Sequence, residues 1–535
     1  MFVNDAMDNS MNNKLYNNIY LYIFLTLMVI EVTFLSYYGI SRHFNYLTSI
    51  NDLGHMDQAI WGTLNGEPFL NSDIFNKPFN RLGGHFDPVL ALFVPFYLIA
   101  PSVVWLILAQ AIAIPLAGLP IYYLAKRVVQ SERIALFWAA ACMLSPFMLS
   151  AASWDFHPVS LAAPFIALAF LAVEKKQPWL LFATCLFILL CKEHFGLLVS
   201  GFGLLWYIRH RDWKTSAFFI LSGLGFFLLV MKVIIPTFSP SGGHLMLSED
   251  MGAASRYSWL GNSLEEIART ILTKPVETLH QIFSIMGGWK YLVLLLVPLL
   301  CLPLLGCEFL LPGLADLLVN LLSANPMPRS VFSYHSVTLI PVFIAAAIYG
   351  SRRAVRLLKT AVPERLAIVA LIITVVIGWI TFPFFSLPGG LGLWEPKRVL
   401  GFHDPNYAMV QDLITPDMSV SVQANIGAHF TQRHEVYMYP NKVGEVDAVI
   451  LHLDSPTLLT DRRNPHEIGS LGHHLQMDSL DYLNSVQSLL VSNKYSIFVR
   501  RGSWLIFMRG EMPNNNHADL IDEIDRLKTE WGIKY

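Results

Sequence analysis

Long apolar runs recur along most of this chain, and they restrict its fold more than any other feature. A transmembrane helix needs about 20 predominantly apolar residues. Eleven spans are predicted: Asn18–Ile40, Pro101–Ala125, Ile134–Ala152, Pro158–Val173, Trp179–Cys191, Phe195–Ile208, Thr215–Ile235, Trp289–Leu305, Glu308–Ser323, Ser336–Gly350 and Leu366–Ser386. Only 14% of the residues are charged, whereas soluble domains average roughly 25%. The sequence therefore predicts an α-helical polytopic membrane protein.

Basic residues in the short connections predict which side of the helices faces the cytoplasm. They are Lys126, Arg127, Arg133, Lys175, Lys176, Arg209, Arg211, Lys214, Arg352, Arg353, Arg356, Lys359 and Arg365. Because cytoplasmic loops carry an excess of lysine and arginine, residues 1–17 are expected to form a cytoplasmic tail. Residues 41–100 and 236–288 then form large outer loops. The odd number of spans leaves the C-terminal part outside as well.

Polar residues become frequent after Phe385, which predicts a separate domain over residues 398–535. Glycine and proline residues in 387–397, LPGGLGLWEPK, indicate a linker between the two parts. The predicted strands are Asp417–Gln423, Glu435–Tyr439, Val446–Leu453, Tyr495–Arg500 and Trp504–Met508, and the predicted helices are Tyr407–Ile414, Leu480–Val491 and Ala518–Trp531. A small extracytoplasmic α/β domain is expected.

Composition and motifs exclude several classes of function. The net charge is −2. The sequence also lacks the basic stripe interleaved with aromatic residues that would indicate nucleic-acid binding. All five cysteines lie in apolar runs, which favours packing over a zinc knuckle or a disulfide framework. The sequence has no Walker A loop, no GxSxG elbow and no HExxH motif, which argues against a nucleotide-driven pump or a known class of hydrolase.

The polar stretch 51–88 lies between two apolar stretches and contains Asp52 and Asp57. A carboxylate at such a boundary can act as a general base when desolvation raises its pKa, or it can bind a cation. The alternative is structural, since Asn51 or Asp52 could cap a short interfacial helix.

The motif GGHFDP places His85 and Asp87 two residues apart, a spacing that points both side chains the same way in extended structure. Together with Asp57 they could hold a divalent metal ion through imidazole and carboxylate ligands. The alternative is a turn made by the glycines and Pro88, with His85 as one of its polar groups.

Two further polar elements interrupt the apolar runs. Asp155 and His157 lie in WDFHP, a very short outer turn where a tryptophan at the interface and a helix cap would also explain the pattern. Three adjacent ionisable residues, Lys192, Glu193 and His194, break the run 179–208. Charged groups near the membrane centre cost at least about 2.5 kcal/mol each, so they indicate a functional site or a wet cavity. The alternative is a tight turn between two short spans.

Other outer-loop residues are candidates for contacting a phosphate, because the arginine fork matches phosphate oxygens. They are Arg256, Arg329, Tyr334 and His335, and simple solvation is the alternative for each. Glu31, Glu308 and Asp316 lie within predicted spans and are candidates for buried charges.

Five elements carry a resemblance to a known family: DLGHMDQAIWGTLNG, GGHFDPVLALFVPFY, WDFHPVSLAAP, LLCKEHFGLL and FSYHSVTLIP, in this order. The chain resembles the predicted bacterial and archaeal membrane proteins of domain of unknown function 2079. Its layout is similar to that of GT-C glycosyltransferases that use polyprenyl-phosphate sugars. The resemblance implies a prokaryotic plasma membrane protein with Asp57, or failing it Asp52, as the catalytic acidic residue. Better-known GT-C enzymes carry an adjacent acidic pair in the first loop, whereas Gln58 follows Asp57 here.

The resemblance implies transfer of a sugar from a polyprenyl-phosphate donor to an extracytoplasmic lipid, glycan or protein acceptor, with a divalent metal ion or basic residues opposite the leaving phosphate. Two other functions remain open. One is a transporter or lipid flippase with Lys192, Glu193 and Glu31 as coupling charges, and the other is a membrane scaffold without catalysis. A transferase should gather its charged groups on the outer side, whereas a transporter should line a route from both sides.

Overall fold

The computed structural model describes residues 2–244, 247, 256–358, 362–381, 404–453, 475, 477, 479–492, 494–510 and 518–530. Most of these residues are helical. The helices are α1 Phe2–Phe44, α2 His55–Leu64, α3 Val94–Ile99, α4 Val104–Leu116, α5 Gly118–Val129, α6 Glu132–Met143, α7 Pro146–Ser153, α8 Pro158–Glu174, α9 Pro178–Leu189, α10 Phe195–His210, α11 Trp213–Leu229, α12 Ile235–Phe238, α13 Leu264–Thr273, α14 Pro275–His280, α15 Gly288–Leu296, α16 Leu302–Leu305, α17 Leu314–Leu322, α18 Leu339–Leu357, α19 Pro363–Thr381, α20 Tyr407–Leu413, α21 Ser479–Leu490 and α22 Ala518–Glu530.

Shorter helical turns connect or extend several of these helices. The π-helical turns are Ile50–Gly54, Val230–Ile234 and Gln281–Ile285, and the 3₁₀ turns are Arg81–Gly83, Pro88–Phe93, Val297–Leu299, Cys307–Gly313, Met327–Arg329 and Gly427–His429. The strands are β1 Leu70–Asn71, β2 Phe79–Asn80, β3 Val420–Val422, β4 Val436–Met438, β5 Ala448–His452, β6 Tyr495–Arg501 and β7 Trp504–Arg509.

The described helices support a membrane-spanning architecture, but they do not confirm eleven spans. Four are long and apolar enough to cross a membrane: Ile19–Phe44, Val104–Val129, Trp213–Phe238 and Pro363–Thr381. Two bent helix pairs raise the number to as many as six. Each remaining predicted span contains helix, but proline and left-handed residues shorten several of them. In the run 289–305, for example, Leu300 and Cys301 both have φ 54° and interrupt the helix.

Burial separates the lipid-facing helices from the packed interior. In α1, α11 and α19, only 17% to 22% of the most apolar window is buried in the protein. The described residues of α18 from Leu339 to Ser351 are all buried. Gly350 allows close packing there, because a Cβ at this position would lie 1.9 Å from the carbonyl oxygen of Leu302. Small residues at helix contacts are typical of membrane bundles.

The C-terminal part contains a five-stranded mixed sheet in the order β4-β3-β5-β7-β6. β3 pairs in parallel with β4 and β5, and β7 pairs antiparallel with β5 and β6. Each predicted strand and helix of this part is confirmed within a few residues, whereas the predicted linker 387–397 lies outside the described residues. Alternation places Val449 and Leu451 on one face, with α21 and α22, and Ala448 and Ile450 on the other.

The second face of this sheet packs against the segment that follows α1. Tyr46 and Ile50 belong to the same buried cluster as Ile450 and Trp504. At the edge of the sheet, the backbone N–H of Val436 in β4 donates to Ser72 Oγ at 3.0 Å. The first long loop and the C-terminal sheet therefore form one packed unit around the end of α1.

Candidate functional site

The segment after α1 directs its two acidic side chains to different surroundings. Ser49 caps the π-helical turn Ile50–Gly54, and α2 follows directly at His55. Side chains five positions apart on a helix do not share a face, because five residues complete more than one turn. Asp52 and Asp57 therefore face different partners, and the structure assigns them different environments.

Asp57 is buried, with 1% of its surface exposed. Its carboxylate accepts hydrogen bonds from Tyr97 at 2.6 Å, Thr431 at 2.7 Å and Gln432 at 3.2 Å. Burial raises the pKa of Asp57, and the three hydrogen bonds oppose that shift. The side chain thus joins α2 to the 3₁₀ and α-helical segment 88–99 and to the C-terminal part, and a substrate has no open approach to it.

Asp52 is more accessible, with 25% of its side chain exposed. Trp154 Nε1 donates to its Oδ2 at 3.0 Å, and His157 Nε2 lies 3.3 Å from its Oδ1. His157 Nδ1 is 2.9 Å from the carbonyl oxygen of Asp155, which only accepts, so Nδ1 carries a proton. His157 Nε2, the ring nitrogen that faces Asp52, is then the nitrogen that can accept a proton. A carboxylate in such a pair can take up and release a proton.

The turn that presents Trp154 and His157 is held by Gln110 of α4. The Gln110 amide donates to the carbonyl of Trp154 at 2.9 Å, and its oxygen accepts from the backbone N–H of His157 at 3.0 Å. Gln110 is buried within a membrane-crossing helix, where an unsatisfied amide would cost several kcal/mol. These hydrogen bonds satisfy the Gln110 amide inside the helix and hold the turn in place.

Asp155 anchors the same turn to the end of α1. Its Oδ2 accepts from the backbone N–H of Ser49 at 2.7 Å, and its Oδ1 pairs with Arg42 at 3.2 Å. Burial raises the pKa of Asp155 to about 6, although Arg42 opposes the shift. Asp155 therefore positions the turn, and Asp52 is the carboxylate that faces outward.

Aromatic stacking continues from His157 towards a cation. The His157 ring stacks on Tyr334 at 3.4 Å between centroids, and Tyr334 stacks on His335 at 4.1 Å. Arg256 Nη1 lies 3.0 Å from His335 Nε2, which must accept because a guanidinium only donates. Burial, followed by the charge of Arg256, holds the pKa of His335 well below its usual range. His335 is therefore neutral and orients the Arg256 guanidinium.

A second cluster joins His85 to the break between α9 and α10. Lys192 Nζ is 3.0 Å from His85 Nδ1 and 3.3 Å from Glu193 Oε1. His244 Nε2 also lies 3.3 Å from Glu193 Oε1. Burial lowers the pKa of His85 to about 3. Burial alone would raise the pKa of Glu193, but Lys192 and the two histidines hold it well below its usual range.

The remaining predicted site residues make contacts outside these two clusters. Asp87 forms a two-oxygen pair with Arg81 at 2.9 to 3.2 Å. His194 Nε2 lies 2.9 Å from Asp316, which also accepts from Thr338. The other contacts are those of Arg329 with the backbone carbonyls of Asn320, Leu321 and Ser323, and of Glu308 with Arg353.

The predicted metal set of Asp57, His85 and Asp87 is not brought together. Asp57 contacts the C-terminal part and Asp87 contacts Arg81, whereas the ligand atoms that approach His85 come from Glu193 and His244. The sequence offered no signal for His244, which stands alone in a long loop. Tyr97, Thr431 and Gln432, the donors to Asp57, are also common polar residues without a motif.

The two clusters lie close enough to interact electrostatically, because both Lys192 and Asp52 perturb the pKa of His335. They lie beyond the C-terminal end of α1. A cavity of about 700 Å³ lies near the start of the membrane-spanning part of α1, Ile19–Phe44, and includes Tyr20, Lys126 and Arg127 in its lining. Tyr20 and Phe44 are roughly 36 Å apart along α1 at 1.5 Å per residue. The acidic and histidine-rich clusters therefore occupy the end of the helices opposite to this basic cavity.

Comparison with known proteins identifies a family. No curated protein matches the chain. Among solved structures, the oligosaccharyltransferase of Archaeoglobus fulgidus is similar at 13% identity and a TM-score of 0.38, over 84% of this chain and 70% of that chain. A similarity this low does not bear on activity. The model of the predicted membrane protein family DUF2079 matches residues 42–467, and the chain belongs to this family.

Proposed function

We propose that the protein is an integral-membrane glycosyltransferase that moves a sugar from a polyprenyl-phosphate donor to a hydroxyl group of an extracytoplasmic acceptor. The observation that carries this proposal is the partly exposed carboxylate of Asp52, held by Trp154 and His157 beyond the end of a membrane-spanning helix. The membrane part accommodates the lipid, and the site is near its surface.

The environment of Asp52 suits a general base better than that of Asp57. A general base must come within hydrogen-bond reach of the proton that it removes. Asp57 is buried and already accepts three hydrogen bonds. Asp52 retains an exposed edge, and its partner His157 can hold the transferred proton. We therefore assign the base to Asp52 and a positioning role to Asp57.

The proposed reaction is a single displacement at the anomeric carbon. Asp52 takes the proton of the acceptor hydroxyl, and the acceptor oxygen forms a bond to the anomeric carbon. The bond from that carbon to the phosphate oxygen breaks, and polyprenyl phosphate leaves with the electron pair. The configuration at the anomeric carbon inverts, and the proton on Asp52 returns to solvent.

Two basic side chains, those of Arg256 and Lys192, can stabilise the leaving phosphate. Arg256 is held by His335 at 3.0 Å, and Lys192 is 24% exposed beside His85. Oriented positive groups aimed at developing charge are usually among the largest contributions to catalysis. Arg256 is the stronger candidate. Its partner His335 is neutral, so the contact between them does not offset the positive charge of the guanidinium.

The first experiment is incubation of the purified protein with a panel of polyprenyl-phosphate sugars, with mass spectrometry of released polyprenyl phosphate. We expect turnover by the wild type and its loss in Asp52→Asn. A folded wild type that consumes no donor across hexose and pentose panels, with lipid, glycan and protein acceptors supplied, would contradict the proposal.

A transporter is the second candidate, and Glu31 in α1 is the observation that favours it. Glu31 is 8% exposed, and neither carboxylate oxygen has a hydrogen-bond partner among the described residues. Buried ionisable groups in spans often mark ion pathways. Transport of lipid or ions in vesicles that depends on Glu31, without sugar transfer, would favour this function instead.

A further inference from the structure

His85, Glu193 and His244 bring three potential metal ligands together from separate segments. Within the described residues, they form the group whose ligand atoms all lie within 4.8 Å of one another. Glu193 and His244 each have side chains that are 7% exposed, and that of His85 is 19% exposed. His85 precedes the 3₁₀ turn Pro88–Phe93, Glu193 precedes α10, and His244 follows α12.

The distances in this group suit a small tetrahedral ion. Glu193 Oε1 is 3.6 Å from His85 Nδ1 and 3.3 Å from His244 Nε2. Bonds of about 2.0–2.1 Å in a tetrahedral zinc site place neighbouring ligand atoms roughly 3.4 Å apart. Two of the three separations therefore match those of a tetrahedral zinc site, and the third is within 4.8 Å.

The Lys192 ammonium group places a positive charge next to two of the three potential ligands. It lies 3.0 Å from His85 Nδ1, which must accept because an ammonium group only donates. It also lies 3.3 Å from Glu193 Oε1. The lone pair of His85 and the carboxylate of Glu193 are thus both directed at a cation.

We propose that His85, Glu193 and His244 form a zinc site, in which Zn²⁺ replaces the Lys192 ammonium as the cation of this cluster and the fourth coordination position stays open. Two histidines and one glutamate are a ligand set that zinc commonly adopts in sites that bind water or substrate. Lysine has a flexible four-carbon stem, and 24% exposure of Lys192 gives its ammonium room to turn towards solvent.

A neighbouring backbone group already orients the carboxylate. Phe86 N–H donates to Glu193 Oε2 at 3.3 Å, which leaves Oε1 to face the two histidines. Hydrogen bonds of this kind fix ligand orientation, and their loss typically weakens metal binding 10–100-fold. If the proposed transferase function holds, a phosphate oxygen of its donor is the class of ligand that would complete the coordination. Zinc binding itself does not depend on the proposed transferase activity.

The test is zinc titration of the full chain in detergent after chelator treatment, by calorimetry and by visible absorption with Co²⁺ as the probe. Cys301 and Cys307 are exposed thiols in the structure, so both are replaced by serine in every sample. We expect about one metal ion per chain and a Co²⁺ spectrum typical of four-coordination. Glu193→Gln and His244→Ala should weaken binding at least about 100-fold, beyond the usual effect of an outer partner.

Lys192→Met distinguishes a zinc site from a plain salt-bridge cluster. Removal of the competing ammonium should leave zinc affinity unchanged or increase it, whereas ligand variants lose it. His194→Ala is the matched control, because His194 is adjacent in sequence but pairs with Asp316. The proposal is overturned if the starting protein binds no zinc, if His244→Ala and a separate His244→Gln retain full affinity, or if Lys192→Met abolishes binding.

Discussion

The carboxylate of Asp57 accepts a hydrogen bond from Thr431 at 2.7 Å, although 374 positions separate the two residues in the sequence. Gly54 allows this approach, since a Cβ there would lie 2.9 Å from Thr431 Cγ2. The contact fastens the first long loop to the C-terminal part, and it lies beside the segment that carries Asp52. The C-terminal part therefore helps to hold the candidate base in position.

Thr431→Val tests this contact. The substitution keeps the shape but removes a donor from a buried carboxylate, and such a loss costs about 1–3 kcal/mol. We expect a lower melting temperature and faster proteolysis between the membrane part and the sheet. Thr529→Val is the control, because Thr529 is exposed and its hydroxyl donates, within the described part of the chain, to a carbonyl of its own helix. Equal effects of the two substitutions would contradict the assigned role.

Asp155 predicts a specific dependence of stability on pH. Its folded pKa of about 6 exceeds the ordinary aspartate value of 3.8, so the folded state binds more protons between these values. Its contribution is present below pH 3.8 and is lost as the pH rises through about 6. In Asp155→Asn, the free energy of unfolding should fall less steeply as the pH rises from 3.8 to about 6. Parallel wild-type and variant profiles would count against a raised pKa.

Glu31 offers a test of the transport alternative. A buried carboxylate without a hydrogen-bond partner costs free energy, so Glu31→Gln should raise the melting temperature. Sugar transfer should be unaffected, because Glu31 lies within α1, nearly four turns before the loop that carries Asp52. A stabilised variant that loses transport in vesicles would instead identify Glu31 as a coupling residue.

Substitution of two glycines by alanine tests the packing of α16 against α18. Gly350→Ala forces a Cβ against the carbonyl of Leu302 and should destabilise the protein by about 1–3 kcal/mol. Gly225→Ala should be neutral or stabilising, because a Cβ at Gly225 meets nothing within 4 Å and alanine favours a helix. Thermal unfolding in one detergent compares the two variants, and the reverse order would contradict the packing of α16 against α18.

The secondary structure of the C-terminal part could be predicted from sequence because hydrophobic alternation is a local signal. Val446–Leu453 was predicted as a strand, and Ala448–His452 is observed. The span count could not be predicted as well, since apolarity alone does not reveal where proline or a left-handed residue ends a helix. Leu300 and Cys301 end one such helix.

The site was partly predictable for a similar reason. Asp52, His157 and Lys192 stood out because ionisable residues interrupt apolar runs. The distinction between Asp52 and Asp57 depends on burial by Thr431 and Tyr97, which are distant in sequence. His244 reaches Glu193 only through the folding of a long loop, and no spacing rule reveals such a contact.

The most direct test of the central claim compares Asp52→Asn with Asp57→Asn in donor turnover at saturating polyprenyl-phosphate sugar. Loss of a general base typically lowers the rate by 10²- to 10⁴-fold. We expect a loss of about that size in kcat for folded Asp52→Asn, and less than a tenfold change for Asp57→Asn at a temperature where both are folded. Full activity of folded Asp52→Asn, or the larger loss in Asp57→Asn, would contradict the assignment of Asp52 as the base.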